Sequence, residues 1–301
     1  MEALITGVNG FVGTYLKEFL LEKGYTVFGT GRSGNVDFRV DLLNYSEVED
    51  LIIKTKPKYV FHLAANSSVK LSWENPENTI DENILCTKNL IDAIKEHSPE
   101  TIILLVSSSH VYDISSEILK ETSKINPISP YGQSKLEQEK LLIDSGLKWI
   151  ISRSFTHIGP RQSTLFVCSE LAKEIVDIER GKKPVIYVGD TSVERDFTDV
   201  RDVVRAYLLM VEKCDLNEIY NVCSGEIHTI RKILDILISL SDKEIEIKID
   251  ESKLRKNDIK KMVGDNSKFV QKTGWKREIS IEQTLKDLLD YWRSKQQTTQ
   301  Q

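Results

Sequence analysis

The chain has 301 residues, 40% of them hydrophobic and 29% charged, and its formal net charge at pH 7 is -5. This length suits one large domain or two modest ones, and the charge disfavours binding to nucleic acid or to an anionic membrane surface. No apolar run approaches the ~18 residues of a membrane helix, and the first residues lack a basic, cleavable leader. We therefore expect a cytoplasmic protein without nucleic-acid or membrane partners.

The four cysteines and five histidines are scattered along the chain. The cysteines are Cys86, Cys168, Cys214 and Cys223. No pair has the two- or four-residue spacing of a zinc or redox motif, and the histidines are equally dispersed. We expect reduced thiols and no bound metal.

The first half alternates short β-rich runs with amphipathic stretches, which is typical of βαβ units. The predicted strands are Ala3–Thr6, Thr26–Thr30, Tyr59–Leu63, Thr101–Ser107 and Trp149–Ser152. The predicted helices are Gly13–Glu22, Ser46–Thr55, Asn83–Glu96 and Tyr131–Ser145. Right-handed crossovers then give an α/β fold with a doubly wound parallel Rossmann sheet, which binds ligands beyond the carboxyl ends of its strands.

From Phe155 the regular alternation of predicted strands and helices ends. The pattern from there on predicts a smaller, discontinuous C-terminal lobe that binds substrate. Its predicted elements are the helices Leu165–Gly181, Ile230–Leu240, Ser267–Thr273 and Ile281–Lys295, and the strands Val185–Val188, Arg195–Thr198 and Glu244–Ile249. The helix Val200–Glu212 and the strand Glu218–Cys223 are expected to return to the first sheet. The cofactor domain is thus 1–154 with 200–223, the lobe is 155–199 with 224–295, and 296–301 is a frayed tail.

Three glycines at three-residue spacing, Gly7, Gly10 and Gly13, lie between the first predicted strand and the first predicted helix. The first permits a tight turn, the second lets the backbone approach a pyrophosphate, and the third lets helix and strand pack closely. The position of the triplet inside a βαβ unit predicts binding of a dinucleotide.

The end of the second strand bears on the choice of cofactor. An NAD-specific site usually has an Asp or Glu there to bind the ribose, but this chain has Arg32. An arginine can bind the 2′-phosphate of NADP, so NADP(H) is slightly favoured over NAD(H). Asp41 and Leu42, beyond a third short strand, suit the edge of the adenine.

Tyr131 and Lys135 are four residues apart in a helix predicted to begin at Ser129-Pro130, so they share one face. An ammonium one turn away is expected to stabilise the phenolate and to lower the pKa of Tyr131 from ~10. Serines at 107–109 follow the fourth strand, so a hydroxyl can reach the same carbonyl group.

Over nearly its whole length the chain resembles the extended short-chain dehydrogenase/reductase family, which acts on nucleotide-activated sugars. The resemblance is carried by the glycine triplet, His62-Leu63-Ala64-Ala65, Asn83, the serine cluster, the Tyr131/Lys135 pair and Arg195-Asp196-Phe197. It implies that Ser108 donates a hydrogen bond, Tyr131 is the general acid and Lys135 holds the nicotinamide ribose. The other implied cofactor-binding residues are Asn9, Phe11, Val12, Leu63, Ala64, Ala65 and Asn83.

Within that family the C-terminal half resembles the members that dehydrate GDP-mannose or reduce its 4-keto-6-deoxy product. The runs that carry this resemblance are Ser154–Pro160, Arg195–Ala206, Leu254–Asp258, Gly264–Lys268 and Thr273–Trp275. This resemblance implies that Arg195 and Arg255 grip the diphosphate, that Asp258 meets the sugar or nucleoside, and that Ser109 and Thr156 contact the sugar. Phe166 and Val167 would line the nucleotide pocket. Thr156 stands where the family usually has Asn, so the orientation of the sugar is an open question.

The activity implied is reduction by NAD(P)H of the 4-keto group of GDP-4-keto-6-deoxy-D-mannose to GDP-D-rhamnose. Alternatives are a nucleotide-sugar epimerase or 4,6-dehydratase, and a non-catalytic dinucleotide-sensing scaffold. The dehydratases carry a Glu at the position of His110, so dehydration is poorly supported. The resemblance also suggests a homodimer built from the helices Asn83–Glu96 and Tyr131–Ser145.

Overall fold

The computed structural model of the chain describes residues 1–114, 118–254 and 259–295. The strands are β1 (Glu2–Thr6), β2 (Thr26–Gly31), β3 (Phe38–Arg39), β4 (Tyr59–His62), β5 (Ile102–Ser108), β6 (Lys148–Ser154), β7 (Thr156–Ile158), β8 (Val185–Val188), β9 (Glu194–Asp199), β10 (Glu218–Val222), β11 (Ile227–Thr229), β12 (Glu246–Ile249) and β13 (Lys261–Met262). The helices are α1 (Phe11–Glu22), α2 (Tyr45–Thr55), α3 (Val69–Glu74), α4 (Pro76–His97), α5 (Pro130–Ile143), α6 (Val167–Glu179), α7 (Val200–Lys213), α8 (Ile230–Ser239), α9 (Ser267–Thr273) and α10 (Ile281–Ser294). Short 3-10 helices are formed by Ser109–Val111 and Glu251–Lys253.

Seven parallel strands form the central sheet, in the order β3-β2-β1-β4-β5-β6-β10. The order runs outward in both directions from β1, which pairs with β2 on one side and β4 on the other. In such doubly wound sheets the ligand crevice opens beyond the carboxyl ends of the strands where the order reverses. The predicted α/β fold is therefore confirmed, and the loops after β1 and β4 flank the crevice.

The sheet is covered by helices on both faces, which explains why its strands are continuous apolar runs. On one face α1 and α7 contribute to a core with β1 and β10, in which Leu16, Leu20, Val203 and Tyr207 are buried. On the other face α2 and α4 pack against β1, β4 and β5. The strand predicted to return to this sheet does so, since β10 pairs with β6.

Most of the remaining elements pack around a second core. In it β9 pairs with β7, β11 and β13, and β8 pairs with β12. The helices α6, α8 and α10 bury a shared apolar cluster that includes Leu171, Ile175, Leu234 and Leu288. This is the smaller C-terminal lobe, and β7, which directly follows β6, connects it to the central sheet. The helix α9, which is predicted to belong to the lobe, instead buries Phe269 in the first core beside α7 and β10.

Several predicted boundaries are wrong. The helix α4 begins at Pro76, well before the predicted Asn83, because proline fits the first position of a helix and the first turn is polar. The helix α3 and the strands β7, β11 and β13 were not predicted at all. Each is short, and these strands owe their pairing to β9, which is distant in sequence.

Residues 296–301, for which a frayed tail is predicted, lie outside the described residues. Of the helices in the described part of the chain, none combines the length and the apolar composition needed to cross a membrane.

Candidate active site

The glycine turn after β1 is a backbone cradle. Gly7 has φ +72°, and its amide donates a hydrogen bond to the carbonyl of Thr30, 3.0 Å away. A Cβ on Gly7 would lie 3.1 Å from the backbone of Ala64, and one on Gly13 would overlap the carbonyl oxygen of Gly7 and lie 2.8 Å from Cα of Val8. Only glycine fits at either position, so the turn leaves the α1 amides open to an anion.

The loop after β2 is joined to this turn. Nδ2 of Asn9 donates to the carbonyl of Ser33 over 2.5 Å. Arg32 is exposed in the same loop, and Arg39 on β3 is also exposed and pairs in register with Gly31. Oδ2 of Asp37 accepts hydrogen bonds from Gly29 N at 2.7 Å and Lys17 Nζ at 2.8 Å. The edge of the sheet beyond β2 thus carries two exposed arginines, Arg32 and Arg39.

The residues predicted to meet the adenine lie nearby. Asp41 is half-buried and its Oδ1 accepts from Leu43 N at 3.1 Å, while Leu42 is buried. Burial raises the pKa of the Cys86 thiol to about 11, with a further increase from Asp41 and an opposing effect from Arg32.

The loop after β4 forms the other side of the crevice. Leu63, Ala64 and Ala65 are partly exposed there, and Ala64 N donates to Thr6 Oγ1 at 3.2 Å. The side chain of Asn83 is 2% exposed. Its Oδ1 accepts from Asn66 N at 2.7 Å and its Nδ2 donates to Ser134 Oγ at 2.9 Å. In the structure Asn83 therefore ties this loop to α5. Its contact with the cofactor stays a prediction.

Tyr131, Ser108 and Lys135 meet beyond the carboxyl end of β5. Ser129 caps α5 by accepting from Gly132 N, and Pro130 occupies the first turn, as predicted. The cap places Tyr131 close enough to Ser108 for that side chain to oppose, in part, the rise in the pKa of the phenol. Lys135 Nζ lies 6.0 Å from the centroid of the Tyr131 ring and donates to the carbonyl of Val106 at 2.9 Å.

The electrostatics of this triad differ from the prediction. Burial raises the pKa of Tyr131, and this effect outweighs the lowering by the Ser108 hydrogen bond. The expectation of a lowered tyrosine pKa is therefore wrong, because removal from water disfavours the phenolate. Burial lowers the pKa of Lys135 to about 8, against an opposing effect of Glu139.

Two neighbours of the triad have distinct surroundings. Ser109 is 2% exposed and donates to Met262 Sδ at 3.0 Å, so its hydroxyl already has a hydrogen-bond partner within the protein. The ring of His110 lies 5.8 Å from that of Tyr131 at an interplanar angle of 70°. His110 N donates to Ser108 Oγ at 3.2 Å. The short helix at 109–111 thus fixes the orientation of Ser108.

The residues predicted to bind substrate lie in or beside the lobe. Thr156 is half-buried on β7, while Phe166 and Val167 are 37% and 38% exposed at the start of α6. Arg195 lies within β9, in agreement with the predicted strand, and its Nη1 donates to the carbonyl of Glu194 at 2.9 Å. Arg255 and Asp258 lie outside the described residues.

Three residues with a place in this region were assigned no role from the sequence. Arg39 is brought to the end of β2 by strand pairing, and His157 contacts Phe11 at the start of α1. Glu139 lies one helical turn beyond Lys135 on α5. The four-residue spacing between them was the one feature of the sequence that could have pointed to Glu139.

Comparison with known proteins agrees with this geometry. The model of the family described as GDP-mannose 4,6 dehydratase matches residues 4–288. The GDP-6-deoxy-D-mannose reductase of Pseudomonas aeruginosa is 34% identical over 299 residues, which cover 97% of each chain.

Two solved structures are similar over almost the whole chain. The structure of RMD from Pseudomonas aeruginosa complexed with NADPH has a TM-score of 0.89 at 32% identity, and covers 98% of this chain and 99% of that one. The UDP-glucose 4-epimerase of Thermotoga maritima with UDP-glucose has a TM-score of 0.85 at 30% identity, with 97% and 99% covered. The chain is thus an extended short-chain dehydrogenase/reductase and belongs to the GDP-mannose 4,6 dehydratase family.

Proposed function

We propose that the protein uses NADPH to reduce the 4-keto group of GDP-4-keto-6-deoxy-D-mannose to GDP-D-rhamnose. The observation that carries this proposal is the arrangement at the end of β5: Lys135 Nζ lies 6.0 Å from the centroid of the Tyr131 ring and is hydrogen-bonded to the Val106 carbonyl. Ser108 is close enough to affect the pKa of the phenol. A reductase needs a proton donor beside the carbonyl oxygen, and a protonated phenol fills that role. The similarity to a GDP-6-deoxy-D-mannose reductase supports the choice of substrate.

Each member of the triad then has a task. Tyr131 donates its proton to the O4 oxygen of the sugar. Ser108 donates a hydrogen bond to the same oxygen as negative charge develops on it. Lys135, fixed by its bond to the Val106 carbonyl, holds the nicotinamide ribose with its ammonium group. The bound cofactor supplies the hydride.

The residues around the crevice fit a phosphorylated dinucleotide. Gly7, Gly10 and Gly13 let the turn pack tightly against its own backbone at the start of α1, and the N-terminus of a helix after such a turn binds a pyrophosphate. Arg32 and Arg39, both exposed beyond β2, offer positive charge to a 2′-phosphate. NADPH is therefore preferred to NADH. The remaining cofactor-lining residues are Asn9, Phe11, Val12, Asp41, Leu42, Leu63, Ala64 and Ala65.

On this proposal the cofactor is held by residues 1–154 and 200–223, and the nucleotide-sugar by 155–199 and 224–295. Thr156 contacts the sugar, Phe166 and Val167 contact the nucleotide, and Arg195 binds the diphosphate. Arg255 and Asp258 are proposed as further substrate-binding residues on the sequence resemblance. A thermal-shift comparison of GDP, UDP and dTDP tests the base, because a ligand at 100 times its Kd stabilises by about 2.7 kcal/mol.

The decisive experiment is the reaction in D₂O with the 4-keto-6-deoxy substrate and NADPH, followed by NMR of the product. We expect hydride at C4 and no deuterium at C3 or C5 beyond the level without enzyme. Exchange at C3 or C5 would support an epimerase, with His110 beside Tyr131 as the candidate base. A protein that binds NADPH but turns over no keto-sugar would be a dinucleotide-sensing scaffold.

A homodimer through α4 and α5 is also proposed. The two helices pack side by side, and they expose Leu85 and Ile143, 42% each. Burying such side chains against a second copy would remove apolar surface from water. Light scattering after gel filtration tests this: twice the mass of the chain is expected, and Leu85→Lys should shift the protein to a monomer.

A further inference from the structure

Three side chains follow one face of α5 at four-residue intervals: Tyr131, Lys135 and Glu139. The proposed reaction uses the first two. Glu139 is 1% exposed and Lys135 is 3% exposed, so a buried carboxylate lies one helical turn from a buried amine. A charged group is costly to bury without a partner, so the position of Glu139 calls for an explanation.

Glu139 is held by two groups from neighbouring strands. Arg153 on β6, 4% exposed, donates from Nε to Oε1 at 3.1 Å and from Nη2 to Oε2 at 2.7 Å. Ser107 on β5 donates to the same Oε1 at 2.5 Å. Both carboxylate oxygens are therefore engaged, and the bidentate arginine fixes the orientation of the group.

The negative charge of Glu139 affects the pKa of Lys135. Burial lowers its pKa to about 8, and Glu139 opposes that effect. The Val106 carbonyl on β5 and the Tyr131 ring on α5 also lie near the amine, and His62 on β4 is close enough for Lys135 to affect its pKa. Arg153 on β6 pairs with Glu139. Burial, with a smaller effect of Lys135, lowers the pKa of His62 to about 3, so it carries no charge near neutral pH.

We propose that Glu139 is a positioning residue that keeps Lys135 in its ammonium form, and that Arg153 and Ser107 hold Glu139 for this task. The consequence for catalysis rests on the proposed function, in which the ammonium group binds the nicotinamide ribose. The charge effect itself concerns the protein alone. Without Glu139, Lys135 loses its proton at lower pH, and a neutral amine has weaker hydrogen bonds to offer.

The test is a direct titration of Lys135 in protein that carries ¹³C-labelled lysine side chains, read by NMR, with Lys135→Met to assign the signal. In Glu139→Gln the titration midpoint is expected to fall by about one pH unit or more. Glu139→Asp retains the charge and should restore most of the wild-type midpoint. An unchanged midpoint in folded Glu139→Gln overturns the proposal.

Glu137→Gln is the matched control. Glu137 lies on the same helix two residues away, and its exposed carboxylate pairs with Lys140 at 2.7 Å. Its removal should leave the Lys135 midpoint unchanged, because solvent screens an exposed charge. An equal fall in Glu137→Gln and Glu139→Gln would show a general charge effect and would overturn the proposal.

Glu139→Gln leaves Arg153 buried without its partner, which can prevent folding. The double variant Glu139→Gln with Arg153→Met replaces both charges by neutral groups of similar size. Its Lys135 midpoint is expected to remain below that of the wild type. If neither variant folds, the pair serves folding and the positioning role is rejected.

Turnover separates this inference from the proposed function. In Glu139→Gln the loss of kcat/KM for keto-sugar reduction at high pH should begin at the lowered Lys135 midpoint, while KM for the sugar at pH 6 stays near that of the wild type. A shifted midpoint in a protein whose wild type reduces no keto-sugar would refute the proposed function and leave the charge effect standing. If the wild type reduces the keto-sugar but Glu139→Gln leaves the Lys135 midpoint unshifted, the proposed function stands and the charge effect is refuted.

Discussion

The ring of Phe11 stacks on the ring of His157, with centroids 6.1 Å apart and planes inclined by 18°. Phe11 is the first residue of α1, directly after the glycine turn, and His157 belongs to β7. One turn along α1, Tyr15 donates its hydroxyl to the carbonyl of Pro160 at 3.0 Å. A single face of the helix that follows the cofactor turn therefore supports the segment that leads to α6.

This stacking predicts that Phe11→Ala weakens the binding of GDP as well as of NADPH. Aromatic pairs contribute about 0.5–1.5 kcal/mol, which corresponds to roughly 2- to 10-fold in Kd. Calorimetric titration of both ligands measures the effect. Phe19→Ala is the control, since Phe19 lies on α1 but packs against the main core. An unchanged GDP affinity in Phe11→Ala would show that the two binding regions are independent.

Arg32→Ala is expected to discriminate between the two cofactors. A charge-assisted hydrogen bond contributes about 1.5–3 kcal/mol, so Kd for NADPH should rise by roughly tenfold or more while Kd for NADH stays the same. Fluorescence titration of the reduced cofactors measures both. Equal losses for NADPH and NADH would remove Arg32 from the 2′-phosphate site.

Tyr131→Phe should abolish proton donation without disturbing the fold. Only the phenolic oxygen is deleted, so kcat for keto-sugar reduction is expected to fall by roughly 10² or more. NADPH affinity and the melting temperature are the controls and should change little. If kcat were near that of the wild type, Ser109 or His110 would have to be examined as the acid.

The pH dependence of reduction follows from the two pKa values. Lys135, with a pKa of about 8, is an ammonium below that pH and loses its charge above it. The raised pKa of Tyr131 keeps the phenol protonated through this range. We therefore expect kcat/KM, which reports the free enzyme, to be flat from pH 6 to about 8 and to fall above it. A rise between about pH 8 and 9 would contradict the assignment of Lys135.

Gly13→Ala should destabilise the whole protein. Its Cβ would overlap the Gly7 carbonyl oxygen and the backbone of Val8, which are not free to move. Overpacking of this kind costs about 1–3 kcal/mol or more, so the urea midpoint should fall clearly. Gly24→Ala is the comparison, because that Cβ meets nothing within 4 Å and only the positive φ opposes it. A smaller loss in Gly13→Ala than in Gly24→Ala would be unexpected.

The sequence by itself determined the central sheet, because buried parallel strands are apolar runs and the glycine spacing between β1 and α1 has one structural use. It also determined the start of α5, since Ser129 and Pro130 form a helix cap through neighbours in the chain. These features depend on local chemistry. The return of β10 to the sheet was predictable for the same reason, as its apolar run matches those of the early strands.

Only the tertiary structure decided the features that depend on distant partners. The strands β7, β11 and β13 have two or three residues each and form because β9 offers them hydrogen bonds. The pKa of Tyr131 rises because packing removes the phenol from water, a cost that a four-residue spacing does not reveal. Likewise Arg153 on β6 reaches Glu139 on α5, so their buried ion pair one helical turn from Lys135 exists only in the folded chain.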